Sequence, residues 1–238
     1  MITSHSRSPA LCLLSVIVPL APGETEWQGL LGQLTALPAG SEVIVVRADR
    51  VSCLAPTNWP AHLRYRECHT APGRARQQNH GARLATGHWL WFLHADSRLR
   101  PECLHELQKF LAEGSDALGW FKLGFRNDGP RLTALNAAGA NCRARWLGLP
   151  FGDQGLVLPR HCFEAVHGFN EKALHGEDHL LVWAVRHAGL PLRRIPALLD
   201  TSARKYARHG WLATTWRHWQ LTVTQIWLAR REAHRAHA

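Results

Sequence analysis

The chain has 238 residues, 46% of them hydrophobic and 19% charged. That is enough apolar material for a packed core, and the chain shows no low-complexity tract or internal repeat. A formal charge of +10 and a pI of about 10.1 favour anionic partners: nucleic acid, anionic lipid or a phosphorylated substrate. The six cysteines, Cys12, Cys53, Cys68, Cys103, Cys142 and Cys162, form no C-x-x-C pair. Their scatter argues against a disulfide framework or zinc motif and for a reducing, cytoplasmic setting.

Residues 1–13 are read as a leader. The apolar run "ALCLLSVIVPLAPG" is too short to span a membrane and too β-branched for a signal core, so "LLSVIVP" is expected to be the first strand. In "ETEWQGLLGQLTAL", Trp27, Leu30, Leu31 and Leu34 share one helical face. "SEVIVVRA" predicts a second strand and "HLRYREC" a weaker third. "GRARQQNHGARLATG" predicts a helix despite Gly81. "HWLWFLHA" predicts a fourth strand, and "RPECLHELQKFLAEG" a helix with Pro101 near its first turn.

Apolar strands alternating with helices imply an α/β fold with a mostly parallel sheet covered on both faces. Such sheets bind ligands beyond the carboxyl ends of their strands. The second half is more mixed. "LGWFKLGF" reads as a half-exposed strand and "LTALNAAGANCRARWLG" as a helix. "GDQGLVLPRHCFEAVHGF" reads as loop, short strand and short helix. "GEDHLLVWAVRHAG" predicts a helix ending at Gly189, "LPLRRIPALLD" a strand, and the remainder an aromatic, basic helix. We expect one domain over 14–230, divided into halves 14–113 and 114–230, then a basic tail, 231–238.

Three polar clusters carry candidate chemistry. "HADS" puts His94 and Asp96 at a strand end, where they could share a divalent cation with phosphate oxygens, or Asp96 could cap the next helix. "FGDQG" holds Asp153 and Gln154 between glycines, in a tight loop or a plain turn. "HGEDHLL" places Glu177 and Asp178 at a helix start. There they could serve the helix dipole or present a general base.

In order and context these clusters resemble family 2 glycosyltransferases, which have the GT-A fold. Asn79, Gly81, Ala85 and Gly87 match an N-x-G-x-x-x-A-x-G run, and "FLHAD" resembles the metal motif of a subgroup associated with arsenosugar biosynthesis. "GDQG", "HGF", Glu177-Asp178 and "TSARKYARHGW" continue the similarity, over roughly Leu14 to Leu228. The resemblance implies an inverting transfer from a nucleotide-diphospho-sugar to an acceptor hydroxyl, with Mn²⁺ or Mg²⁺ as cofactor. It implies that Asp96, with His94, binds the metal and that Asp178, beside Glu177, is the base. Asp153 and Gln154 would line the acceptor side. Arg76, Asn79, Arg204, Arg208 and Asp49 would serve the donor.

Two departures stand out. Where relatives carry an Asp at the end of strand two, this chain has Arg47, with Asp49 two residues on; and "PLAPGE" keeps only Glu24 of the usual motif. Both fall in the expected nucleotide-base pocket. They motivate a second reading, a degenerate homologue that binds without turnover. The charge and eleven Trp motivate a third, a basic nucleic-acid or membrane-surface module. With the family resemblance, no nucleic acid is expected, and the C-terminal helix is the candidate contact with an anionic membrane.

Overall fold

The computed structural model describes residues 14–49, 58–173 and 176–216. The leader, Cys12, Cys53, His175, most of the closing helix and the basic tail lie outside the described residues.

The strands are β1 (Leu14–Leu20), β2 (Glu42–Arg47), β3 (Arg64–His69), β4 (Trp89–Phe92), β5 (Arg98–Leu99), β6 (Leu118–Phe125), β7 (Val157–Pro159) and β8 (Leu192–Thr201). The helices are α1 (Trp27–Leu34), α2 (Arg74–Leu84), α3 (Cys103–Ala112), α4 (Thr133–Leu147), α5 (Arg160–Ala165), α6 (Glu177–His187) and α7 (Arg204–His209). Residues 211–216 are also helical.

All eight strands form one sheet in the order β3-β2-β1-β4-β7-β6-β8-β5. β1 pairs parallel with both β2 and β4, and β2 with β3. β7 runs against β4 and β6, β6 and β8 are parallel, and β5 runs against β8. The chain leaves β1 for β2 on one side and later returns to β4 on the other. The crevice beyond the β1 and β4 ends is therefore a topological switch point, where open α/β sheets take ligands.

The continuous apolar runs are explained by burial on both faces. In β4, Trp89 and Trp91 enter one core and Leu90 and Phe92 the other. β1 divides likewise, with Val16 and Val18 on one side and Ile17 on the other. The first core takes Trp27, Leu30, Leu31 and Leu34 of α1, the four residues that share its predicted apolar face. β3 sits at the edge, so none of its residues is fully buried and its sequence signal is weak.

Three features differ from the sequence expectation. β6 was expected half-exposed, but only Lys122 and Phe125 are partly open, because β7 and β8 flank it and α4 packs against it. The two-residue β5 carries too little pattern to be seen in sequence. Gly81 does not weaken α2. A Cβ there would lie 2.6 Å from Ile17 and 3.0 Å from Val46, so glycine lets the helix sit directly on β1 and β2.

Candidate active site

Asp96 follows β4 by four residues, beyond the carboxyl end of the parallel strands. It caps no helix. α3 begins at Cys103, and its capping position is Glu102. Thr201, at the end of β8, donates its hydroxyl to Asp96 Oδ2 at 3.3 Å. His94 lies beside it, with Nε2 buried and without a hydrogen-bond partner. Burial holds the His94 pKa well below the usual range, and the nearby Arg74 and Lys205 push the same way. The imidazole is neutral, the form that ligates metals. One carboxylate and one orphaned neutral imidazole fit a divalent cation that also takes phosphate oxygens and water.

The "GDQG" segment folds into a 3-10 turn, Gly152–Gln154, ahead of β7. Gln154 is fully buried. Its amide donates to Phe121 O at 3.2 Å and accepts from Phe151 N–H at 3.1 Å, so it braces the loop. Asp153 points inward instead, with Oδ1 unpartnered. Burial raises its pKa; Arg143 pulls it down, and Asp96 adds to the rise.

α6 begins at Glu177 after Gly176, whose φ of 78° is a left-handed value. Asp178 is 8% exposed and turned into the protein against Gly152. A Cβ on Gly152 would collide with its carboxylate, so that glycine is required for Asp178 to sit where it does. The Gly152 N–H donates to Asp178, while Oδ1 has no partner. Burial pushes the Asp178 pKa up to about 7, with Glu177 and Asp153 raising it further and Arg74 opposing. A helix start alone would leave both acids at the surface. Here one is buried and poised near neutrality, as a general base requires.

Arg74, at the start of α2, acts electrostatically on His94, Asp153 and Asp178, and its Nη1 is 3.5 Å from Glu177 Oε1. Arg76, which the resemblance assigns to the donor, has different neighbours. Two residues along a helix turn the side chain to another face, and Arg76 pairs with Glu171 at 3.4 Å. Asn79 is also spent there. It accepts from Phe169 N–H at 2.9 Å and donates to Phe169 O at 2.8 Å, clamping the "HGF" turn against α2.

A second cluster lies on the Thr201 side. Glu26 accepts from Arg98 at 2.9 Å and Arg126 at 2.6 Å, with Arg204 at 3.3 Å. Arg204 also approaches Glu24 at 3.7 Å, and Asp128 accepts from Ser202 at 2.7 Å. Both Arg98 and Arg126 feel the charge of Asp96. No sequence signal marks Arg98, Arg126, Glu26 and Asp128, because they come from three separate segments. Tyr206 of α7 is buried edge-on against Phe125 (5.6 Å), within reach of the charge of Asp153. Arg208 is exposed on α7.

Asp49 stands at the carboxyl end of β2, two strands from Asp96. It accepts from buried Arg47 at 2.8 Å, with Glu67 3.8 Å from the same guanidinium. A cavity of about 770 Å³ opens between β6 and α4, lined in part by Arg126 of the Glu26 cluster and by Lys122, Arg131 and Asn141. None of Asp96, Asp153 or Asp178 lines it.

A mostly parallel, helix-flanked sheet with acidic side chains gathered beyond its switch point defines a GT-A glycosyltransferase fold. The profile of the family described as Glycosyl transferase family 2 matches residues 49–170, just over half the chain, and the chain belongs to that family. The match contains Asp96, Asp153 and Gln154 and ends before Glu177 and Asp178. No curated protein matches the chain. Among solved structures it is similar to S. aureus TarS, with 17% identity over 80% of this chain and 36% of that one, at a TM-score of 0.58. It is similar to S. aureus TarS 1-349 in complex with UDP-GlcNAc (18% identity, 79% of this chain, 58% of that one, TM-score 0.58). The form in complex with UDP gives 20% identity, 80% and 60% coverage, and a TM-score of 0.58. The chain thus spans between about a third and three-fifths of those chains' lengths.

Proposed function

We propose that the protein transfers a sugar from a nucleotide-diphospho-sugar to an acceptor hydroxyl, with inversion at the anomeric carbon. The observation that carries this is a run of coupled charges in a family 2 chain: Asp153 feels both Asp96 and Arg74, and Asp178 feels both Asp153 and Arg74. UDP-sugars are the first donors to try, since similar folds are described with UDP and UDP-GlcNAc.

Asp178 accepts the acceptor's proton as the acceptor oxygen bonds to the anomeric carbon and the bond to the diphosphate oxygen breaks. Burial and the neighbouring carboxylates suit it to this by setting its pKa near neutrality. Asp96 and His94 would hold a divalent cation, which would neutralise charge on the departing diphosphate. Arg98, Arg126 and Arg204 supply fixed positive charge on the same side, restrained by Glu26 until substrate arrives. Asp153 and Arg143 shape the polar wall beside the base.

Further parts of this reading are location and membrane contact. Cys68, Cys103, Cys142 and Cys162 are free thiols, which suits a reducing compartment. Among the described residues no helix is long and apolar enough to cross a membrane. Leu212 and Trp216 expose apolar side chains at the start of the closing segment, which suits peripheral contact with an anionic membrane. Flotation with anionic vesicles tests that contact.

The test of the activity is nucleoside diphosphate release from a panel of sugar nucleotides, with and without Mn²⁺. We expect release from at least one donor that requires metal and is lost in Asp96→Ala. Absence of metal-dependent binding to every sugar nucleotide would remove the enzyme reading and favour the degenerate homologue.

A further inference from the structure

At the other end of the strands, where β4 begins, a second polar group has no part in this chemistry. His161 Nε2 lies 2.9 Å from Asp116 Oδ1 and 3.4 Å from Cys162 Sγ. One ligand atom from each of the three residues lies within 4.8 Å of the others. Asp116 precedes β6, and His161 and Cys162 open α5 directly after β7. Because β7 runs against β4, its end at Pro159 pairs with Trp89, the start of β4. The three further residues of β4 span about 10 Å, and Asp96 lies beyond them, so the two sites are distinct.

Cys, His and Asp together suggest either a nucleophilic triad or a metal site, and the geometry separates the two. A triad needs the thiol on one ring nitrogen and the carboxylate on the other, so that the ring relays a proton. Here both partners address the same nitrogen, Nε2. The sulfur, nitrogen and oxygen atoms all lie within 4.8 Å of one another, close enough to share one ion. A tetrahedral zinc ion with ordinary bond lengths would set neighbouring S, N and O ligands about 3.3–3.6 Å apart. The N–O and S–N spacings, 2.9 and 3.4 Å, are close to those values.

We propose that Asp116, His161 and Cys162 form a zinc-type metal site. Cys162 binds as thiolate, releasing its proton to solvent, His161 as neutral imidazole through Nε2, and Asp116 as carboxylate, with water in the fourth position. The two anionic ligands balance the charge of a divalent ion. The mixed sulfur and nitrogen set selects zinc-like ions over Mg²⁺. The bound ion ties the start of α5 to the segment entering β6. It clamps the end of the sheet remote from the transfer site.

The test is titration of the full-length protein with Co²⁺, followed by its electronic spectrum, and thermal unfolding with Zn²⁺ before and after chelation. We expect a thiolate-to-cobalt charge-transfer band at one equivalent and a melting temperature that rises with Zn²⁺. Cys162→Ser should remove the band. His161→Ala and Asp116→Asn alter exposed residues and keep the fold. Each should weaken Co²⁺ binding by more than the ~10–100-fold typical of losing a supporting contact. Asp96→Ala should leave the band unchanged. The proposal is overturned if the wild-type protein shows no band, if the band persists in Cys162→Ser, or if His161→Ala binds Co²⁺ as tightly as wild type.

Discussion

The pH dependence of transfer gives the sharpest check on Asp178. Its pKa is raised to about 7, first by burial, then by the like charges of Glu177 and Asp153, against the pull of Arg74. A base must be ionised to accept a proton. kcat/KM should therefore climb to a plateau with a limb near pH 7, falling about tenfold for each pH unit below it. Glu177→Gln removes a repelling charge, so Asp178 ionises more readily and the limb moves to lower pH. Arg74→Gln removes the stabilising cation and moves the limb to higher pH. The assay is nucleoside diphosphate release with excess metal, from about pH 5 to about pH 9. A flat profile, or limbs that move in the same direction in the two variants, would refute the assignment.

The other predictions concern stability and placement. Asp178 has a raised pKa in the folded state, so the folded protein holds a proton that the unfolded chain has lost between about pH 4 and about pH 7. Its contribution to stability therefore declines as pH rises through that window. Asp178→Asn should melt a few degrees higher than wild type at about pH 8 while losing transfer. A lower melting temperature there would contradict the buried-charge account. Gly152→Ala drives a methyl into the Asp178 carboxylate. It should cost about 1–3 kcal/mol by overpacking and about a hundredfold or more in kcat through misplacement of the base; steady-state kinetics and denaturant melts measure both. Asn79→Ala should cost about 1–3 kcal/mol by leaving the buried Phe169 backbone groups unpaired, with donor affinity unchanged in calorimetry. A selective loss of donor affinity would return Asn79 to the donor site.

Much of the fold was legible because both faces of its central strands are buried. Runs such as "SEVIVV" and "HWLWFL" can then be little else but interior strands, and α1 displayed its apolar face openly. β5 was hidden by its length. The burial of β6 was hidden because it depends on its neighbours in the sheet, which no local pattern encodes. In the site, Asp96 was legible from its position after a buried strand. Asp178 was legible only as an acid at a helix start; its burial against Gly152 is a property of two segments packed together. Arg74 and Arg76 look alike in "GRAR", yet helical geometry sends them to different partners. The Asp116, His161 and Cys162 group escaped the cysteine reading for the same reason. Its ligands come from two segments joined only by the sheet.

The central claim is that Asp96 serves the donor and Asp178 serves the acceptor's proton. Calorimetric titration of a turnover-competent sugar nucleotide, with and without Mn²⁺, into Asp96→Ala and Asp178→Ala tests it directly. Asp178→Ala should bind donor with near wild-type, metal-dependent affinity but perform no transfer, whereas Asp96→Ala should lose the metal-dependent part of binding. Loss of donor binding in Asp178→Ala, or metal-dependent binding that survives in Asp96→Ala, would contradict it.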